Sequence, residues 1–154
     1  MTKFLPTYNQ CREICDTHDN FLFYEAKYVI DGYNVSVFNY RLAYITHFET
    51  PIEGKPYKAN EMRGLTFIFN KDGSLYNRFL LLDKFWNINQ TEMSSYDAIK
   101  DLPVKSVYYK EDGSVVSFVK FPNGNILAKS KTSFETEMAL ASMDIYNKNS
   151  ELKR

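Results

Sequence analysis

The sequence predicts an α+β fold in which antiparallel β-hairpins and a β-meander are flanked by a helix at each end. The chain has 154 residues and is rich in Tyr and Phe, with 12 of each, and these aromatic residues favour strands. Short apolar runs are separated by Asp-Gly and Asn-Gly pairs, which are typical hairpin turns. Amphipathic periodicity occurs near both ends of the chain. The length suits a single domain over residues 1–154.

Composition excludes several classes of protein. The 19 Lys and Arg residues balance 19 Asp and Glu residues, which excludes a globally basic nucleic-acid binder but not a local basic patch. A hydrophobic fraction of 44% argues against disorder. No run approaches the roughly 18 apolar residues of a membrane span, and residues 1–6 lack the apolar region of a secretory signal. We therefore expect no membrane partner and a cytoplasmic location.

The first element is a predicted helix over residues 7–18, where Cys11, Ile14, Cys15 and His18 form one apolar stripe. Two cysteines one turn apart suit free thiols in a reducing compartment. With His18 they would place three metal ligands on one face, but a structural zinc needs four, and His47 is distant in sequence. We therefore interpret the stripe as core and predict no metal site.

Hairpins and a meander are predicted next, in chain order. Residues 21–30 and 34–40 alternate around Asp31 and Gly32 and predict the first hairpin. The later predicted elements are a second hairpin (63–69 and 75–82), a short helix (94–101), a three-strand meander (104–110, 114–121 and 125–131) and an amphipathic helix from Ser133 onward.

One predicted turn contains a candidate nucleophile. Lys110 is followed by Glu111, Asp112, Gly113 and Ser114. The same residues are equally typical of an ordinary hairpin turn without a catalytic role. The chain contains a natural comparison, because Lys71 directly precedes Asp72, Gly73 and Ser74. One residue of offset moves a lysine to the other face of a strand. Lys110 is therefore predicted to point into a cleft, whereas Lys71 should lie in a turn or face solvent.

Other cations are expected to gather near Lys110. Lys129 and Lys131 lie two apart on the last predicted strand, Arg63 opens another strand, and Lys84 follows an apolar run. Each of these residues alone could be an ordinary solvated side chain. If they converge on one cleft, a polyanion such as triphosphate would be needed to neutralise their charge. Neighbouring cations lower the pKa of a lysine below its usual value of about 10.4, which would release Lys110 to attack an α-phosphate.

The Lys110–Ser114 string resembles the K-x-D-G motif of covalent nucleotidyltransferases, the group that includes ATP-dependent ligases and mRNA capping enzymes. Three further strings, Glu61–Gly64, Lys84–Asn89 and Leu127–Lys131, are similar in order and spacing to the T-even bacteriophage-type RNA ligases that repair cut tRNA. The likeness runs from about Phe21 to the C-terminal helix. It implies the N-terminal half of a nucleotidyltransferase domain, and the host cytoplasm as location if the chain is of phage origin.

The resemblance also implies roles for individual residues. Lys110 would become adenylylated by ATP in the presence of Mg²⁺, and Glu111 to Ser114 would form the turn of the motif. Tyr40, Arg63 and Lys84 match positions that contact or lie near ATP. A further phosphate-binding lysine matches Lys129 or Lys131, and both alternatives stay open.

Three functions follow as alternatives. The first is an RNA ligase or its N-terminal subunit, acting on RNA ends such as those of cleaved tRNA, with a second polypeptide supplying the family motifs that this sequence lacks after Lys110. The second is a non-catalytic module that binds nucleotides or RNA ends. The third is an inactive remnant. Salt-sensitive RNA binding without a covalent adduct would distinguish the second from the first.

Overall fold

A computed structural model describes residues 5–149 and residue 151. Residues 1–4, on which the expectation of no secretory signal partly rests, lie outside the described residues. The elements in chain order are α1 (Tyr8–Thr17), β1 (Phe23–Ile30), β2 (Tyr33–Tyr40), α2 (Ile45–Glu49), β3 (Leu65–Phe69), β4 (Leu75–Phe79), a 3₁₀ turn (Glu92–Ser94), α3 (Tyr96–Ile99), β5 (Ser117–Lys120), β6 (Ile126–Lys129) and α4 (Glu137–Lys148). The predicted α+β class is confirmed. No helix within the described ranges combines the length and apolar character that a bilayer span requires.

Helix α1 forms as the sequence predicts. Thr7 and Gln10 make a reciprocal capping box that satisfies free backbone N–H groups at its start. Its stripe of Cys11, Ile14 and Cys15 is fully buried, and both cysteines are free thiols. Burial raises the pKa of the Cys15 thiol to about 12, so this cysteine is an inert core residue. Among the described residues, no group of three or more His, Cys, Asp or Glu side chains could hold a metal ion.

The main sheet contains four antiparallel strands in the order β1-β2-β3-β4. The first predicted hairpin is confirmed, with Phe23 opposite Tyr40 and Ile30 opposite Tyr33 around the Asp31–Gly32 turn. Strand β4 ends at Phe79, three residues earlier than predicted. The Asn123 and Asn125 side chains both donate to the Asp31 carboxylate, which ties this hairpin to the turn between β5 and β6.

Two predictions about local structure are wrong. Residues 104–110 form no strand, so the three-strand meander is a two-stranded sheet of β5 and β6. Val107 is 87% exposed and Tyr109 is 96% exposed, so this alternating run has no core to pack against. Strand propensity depends on such packing, which explains the failure. The helix predicted over residues 94–101 is also too long, because only Tyr96–Ile99 is α-helical.

Helix α2 lies between the two predicted hairpins, where the sequence predicts no helix or strand. The burial of Phe48, which is 2% exposed, explains why the helix forms. Its ring makes edge contacts with Phe23, Tyr40 and Trp86 at centroid distances of 5.8, 4.7 and 5.7 Å. This packing places α2 and the residues around Trp86 beside the end of β2, where the candidate site lies.

Candidate functional site

Tyr40, at the end of β2, is the residue on which predicted cations converge. The Lys131 Nζ atom lies 4.5 Å from the centre of the Tyr40 ring, and the Lys84 Nζ atom lies 5.7 Å from it. An ammonium at such a distance from an aromatic ring is attracted to it. The structure thus brings together one lysine from the segment after β4 and one from the segment after β6.

Arg63 completes this group, which we call the cation cluster (Arg63, Lys84 and Lys131). Burial and the nearby Arg63 charge lower the pKa of Lys84. Burial, Arg63 and Lys84 lower the pKa of Lys131. Because these like charges repel one another, an anionic ligand would be attracted to the cluster.

Lys84 is held by aromatic rings that the sequence analysis did not single out. Its Nζ atom lies 4.1 Å from the Trp86 ring centre and 5.0 Å from that of Phe48. The backbone N–H of Lys84 donates to Glu61 Oε2 at 3.3 Å, and Glu61 is itself buried. The sequence does contain a signal for this contact, because Trp86, the single tryptophan of the chain, lies two residues after Lys84.

Lys129 and Lys131 have different environments. Lys129 is 1% exposed, and its ammonium donates to the carbonyl oxygens of Gly64 at 3.2 Å, Ser130 at 2.9 Å and Lys131 at 3.4 Å. Burial lowers the pKa of Lys129 to about 8. Lys131 is only half-buried and lies over Tyr40. Lys129 therefore braces the backbone, whereas the Lys131 ammonium is the one available to a ligand.

Gly64 is where the two sides of the site meet. Its φ of +75° favours glycine, and a Cβ atom there would lie 2.6 Å from the Lys131 carbonyl oxygen and 3.2 Å from Lys129 Nζ. Its N–H donates to the Phe38 carbonyl, which anchors it to β2. The residue that follows Arg63 thus packs directly against the backbone of Lys131.

Lys110 is not part of the cation cluster in this structure. It lies in an exposed segment with Glu111, Asp112, Gly113 and Ser114, and Gly113 has a φ of +155°. No hydrogen bond or ion pair of Lys110 is found within the described part of the chain. Lys71 lies in the β3–β4 turn and is exposed, as predicted. Of the predicted site residues, the structure thus groups Tyr40, Arg63, Lys84 and Lys131, and places the buried Lys129 behind them.

A family model described as RNA ligase, of the T4 type, matches residues 61–153, which is more than half of the chain. The chain belongs to this RNA ligase family. The match includes all the cations of the site and Lys110, and it begins after Tyr40. The predicted resemblance is confirmed, and the family to which the chain belongs is one of ligases. A search of curated proteins found no match.

Proposed function

We propose that this RNA ligase family member carries out the nucleotide-activation step of ATP-dependent RNA joining, with Lys110 as the nucleophile. The observation that carries the proposal is the cation cluster on Tyr40, within a chain of the RNA ligase family. The fold would be the N-terminal portion of a nucleotidyltransferase domain. The RNA ends of cleaved tRNA are the proposed substrate.

The cation cluster supplies what a bound triphosphate needs. Arg63 offers a planar fork of donors that suits phosphate oxygens, and the Lys84 and Lys131 ammonium groups add point charges. Mg²⁺ is usually held by substrate phosphates and a few carboxylates. Here the ATP phosphates would be its main ligands. When bound, Mg²⁺ neutralises phosphate charge.

The proposed chemistry is a transfer of AMP. The neutral amine of Lys110 attacks the α-phosphorus, so that a P–N bond forms and the P–O bond to pyrophosphate breaks. The amine proton leaves to solvent. The AMP then passes to an RNA 5′-phosphate, and the 3′-hydroxyl of a second end displaces AMP as the strands join. Because Lys110 is exposed and outside the cluster, the proposal requires residues 101–115 to move toward the bound ATP, alone or with a second polypeptide.

Transfer of label from ATP tests the proposal. The chain is incubated with Mg²⁺ and ATP labelled at the α- or γ-phosphate, alone and with a polypeptide that carries the family's downstream motifs. We expect protein-bound label only from α-labelled ATP, stable to alkali and lost in acid, as a P–N bond requires. Absence of label under both conditions would contradict the proposal.

The exposed position of Lys110 favours a second candidate, a module that binds nucleotide phosphates or RNA ends without chemistry. In that case tripolyphosphate or RNA should bind to the cation cluster in a salt-sensitive way while no adduct forms. The same labelling experiment, combined with a binding titration, separates the two candidates.

Replacing Lys131 with alanine should weaken tripolyphosphate binding by about 10-fold, because a hydrogen bond to a charged group contributes about 1.5–3 kcal/mol. The matched control is Lys27→Ala, which removes an exposed strand lysine distant in sequence from the cluster. Binding is followed by the fluorescence of Trp86, whose ring lies 4.1 Å from Lys84 Nζ. Equal affinities of the two variants would show that Lys131 does not contact the phosphates.

A further inference from the structure

A cavity of about 390 Å³ opens directly beside Lys84. Its volume falls in the range of roughly 300–1,000 Å³ that is usual for small-ligand sites. It lies between α2 and the segment that follows β4. We call it the aromatic pocket, and the lining residues used below are Tyr40, Tyr44, Phe48, Lys84, Trp86 and Gln90.

The walls of the aromatic pocket are rings held in place by packing and hydrogen bonds. The Phe48 ring contacts both Tyr40 and Trp86 edge to face, which fixes the inner wall. At the rim, Tyr44 is 76% exposed, and its backbone N–H donates to His47 Nδ1 at 3.0 Å. Gln90 is held at the other side, since its Oε1 accepts from the Asn87 N–H at 2.9 Å.

Lys84 belongs both to the aromatic pocket and to the cation cluster. A ligand that places an anionic group on the cluster can therefore place a flat apolar group against the rings. A nucleotide has this combination, because its phosphate is anionic and its base presents a π-face. Single-stranded RNA is commonly bound by basic residues along its backbone and by aromatic side chains on which its bases stack.

We propose that the aromatic pocket binds the terminal base of an RNA strand whose 5′-phosphate lies on the cation cluster. This inference rests on the proposed function. A 5′-phosphorylated end fits better than a 3′-hydroxyl end, because only the former brings a terminal phosphate to Lys84, Arg63 and Lys131. The cluster then serves two ligands in turn, the departing pyrophosphate and the arriving RNA 5′-phosphate. Tripolyphosphate and a 5′-phosphorylated RNA end should therefore compete.

Fluorescence of the single tryptophan, Trp86, provides the measurement. The probes are a 5′-phosphorylated uridine dinucleotide, the same molecule without its first base, the unphosphorylated dinucleotide, tripolyphosphate and ATP. We expect the phosphorylated dinucleotide to bind about 10-fold more tightly than its abasic form, in line with the effect of stacking one base. Tripolyphosphate should displace it. Equal affinities for the two phosphorylated dinucleotides would overturn the proposal.

Variants at the rim identify the surface that binds the base. Tyr44→Ala should abolish the difference between the abasic and complete dinucleotides and leave tripolyphosphate affinity unchanged, whereas Tyr44→Phe should retain the difference. The matched control is Tyr96→Ala, which removes a tyrosine of similar exposure, 61%, outside the pocket lining. If ATP binds more tightly than tripolyphosphate by a factor that Tyr44→Ala removes, the pocket takes the adenine of ATP and the RNA assignment is wrong.

The inference and the proposed function fail in different ways. Base-dependent binding requires no covalent step, so Lys110→Ala should bind the dinucleotide as the unaltered chain does. If no label transfers from ATP while base-dependent binding persists, nucleotide activation by Lys110 is wrong and the pocket assignment stands. If label transfers but the abasic dinucleotide binds equally well, the pocket assignment is wrong and the proposed chemistry stands.

Discussion

Lys110→Ala should abolish transfer of label from α-labelled ATP to the chain, whereas Lys71→Ala should leave the transfer unchanged. The two lysines precede similar turns, with Asp112 and Gly113 after one and Asp72 and Gly73 after the other. If Lys110 is the nucleophile, no other group can form the P–N bond when it is removed. The measurement is denaturing electrophoresis with quantification of the protein-bound label, under whichever condition labels the unaltered chain.

Both variants should fold like the unaltered chain, so a difference in labelling between them would not result from unfolding. Lys110 is exposed, and Lys71 lies in the β3–β4 turn with its Nζ atom 5.4 Å from the Tyr33 ring centre, a weak surface contact. The melting temperatures should therefore change by no more than a few degrees. Equal labelling of Lys110→Ala and the unaltered chain would show that Lys110 is not the nucleophile. Loss of label in Lys71→Ala alone would move the assignment to the other turn.

The parts of the fold that the sequence predicts correctly are those fixed by local chemistry. Helix α1 has both a capping box from Thr7 and an apolar stripe, so two independent local signals agree. The first hairpin has an Asp-Gly turn, and Asp31 and Gly32 both adopt positive φ angles of 53° and 79°. Such signals require no knowledge of distant residues.

The errors occur where tertiary contacts decide the structure. Helix α2 depends on Phe48 reaching Phe23 and Trp86, which lie far away in sequence, and its five residues are too few for periodicity to reveal. Residues 104–110 show the opposite case, since they alternate like a strand but find no surface to cover. High strand propensity does not produce a strand where no neighbouring surface is available for packing.

The same distinction applies to the candidate site. The sequence predicts that Arg63, Lys84, Lys129 and Lys131 gather near Lys110, but the structure groups only Arg63, Lys84 and Lys131 and leaves the exposed Lys110 outside. The sequence does not distinguish Lys129 from Lys131, since two residues of separation give both the same strand face. Strand β6 ends at Lys129, and the chain then turns so that the Lys129 ammonium meets three backbone carbonyls. Only the three-dimensional path of residues 129–131 separates the environments of the two lysines.

Gly64→Ala should be strongly destabilising, and Gly73→Ala is its matched control. Both glycines have positive φ angles, +75° and +84°. In both variants, holding a Cβ atom in that conformation therefore destabilises the fold by about 1–2 kcal/mol. At Gly73 nothing lies within 4 Å of the added atom, whereas at Gly64 the Lys131 carbonyl oxygen lies at 2.6 Å. We expect a loss of about 1 kcal/mol for Gly73→Ala and about 3 kcal/mol or more for Gly64→Ala.

Thermal unfolding followed by circular dichroism measures both effects. For a chain of this size each kcal/mol lowers the melting temperature by about 2–4 °C, so Gly64→Ala should melt at least about 4 °C below Gly73→Ala. The displaced Lys131 carbonyl also moves the backbone that carries the Lys131 ammonium. Gly64→Ala should therefore weaken tripolyphosphate binding below its melting temperature, whereas Gly73→Ala should not. If the two variants melt together and bind tripolyphosphate equally, Gly64 does not set the spacing between Arg63 and Lys131, and the cation cluster must be held by other contacts.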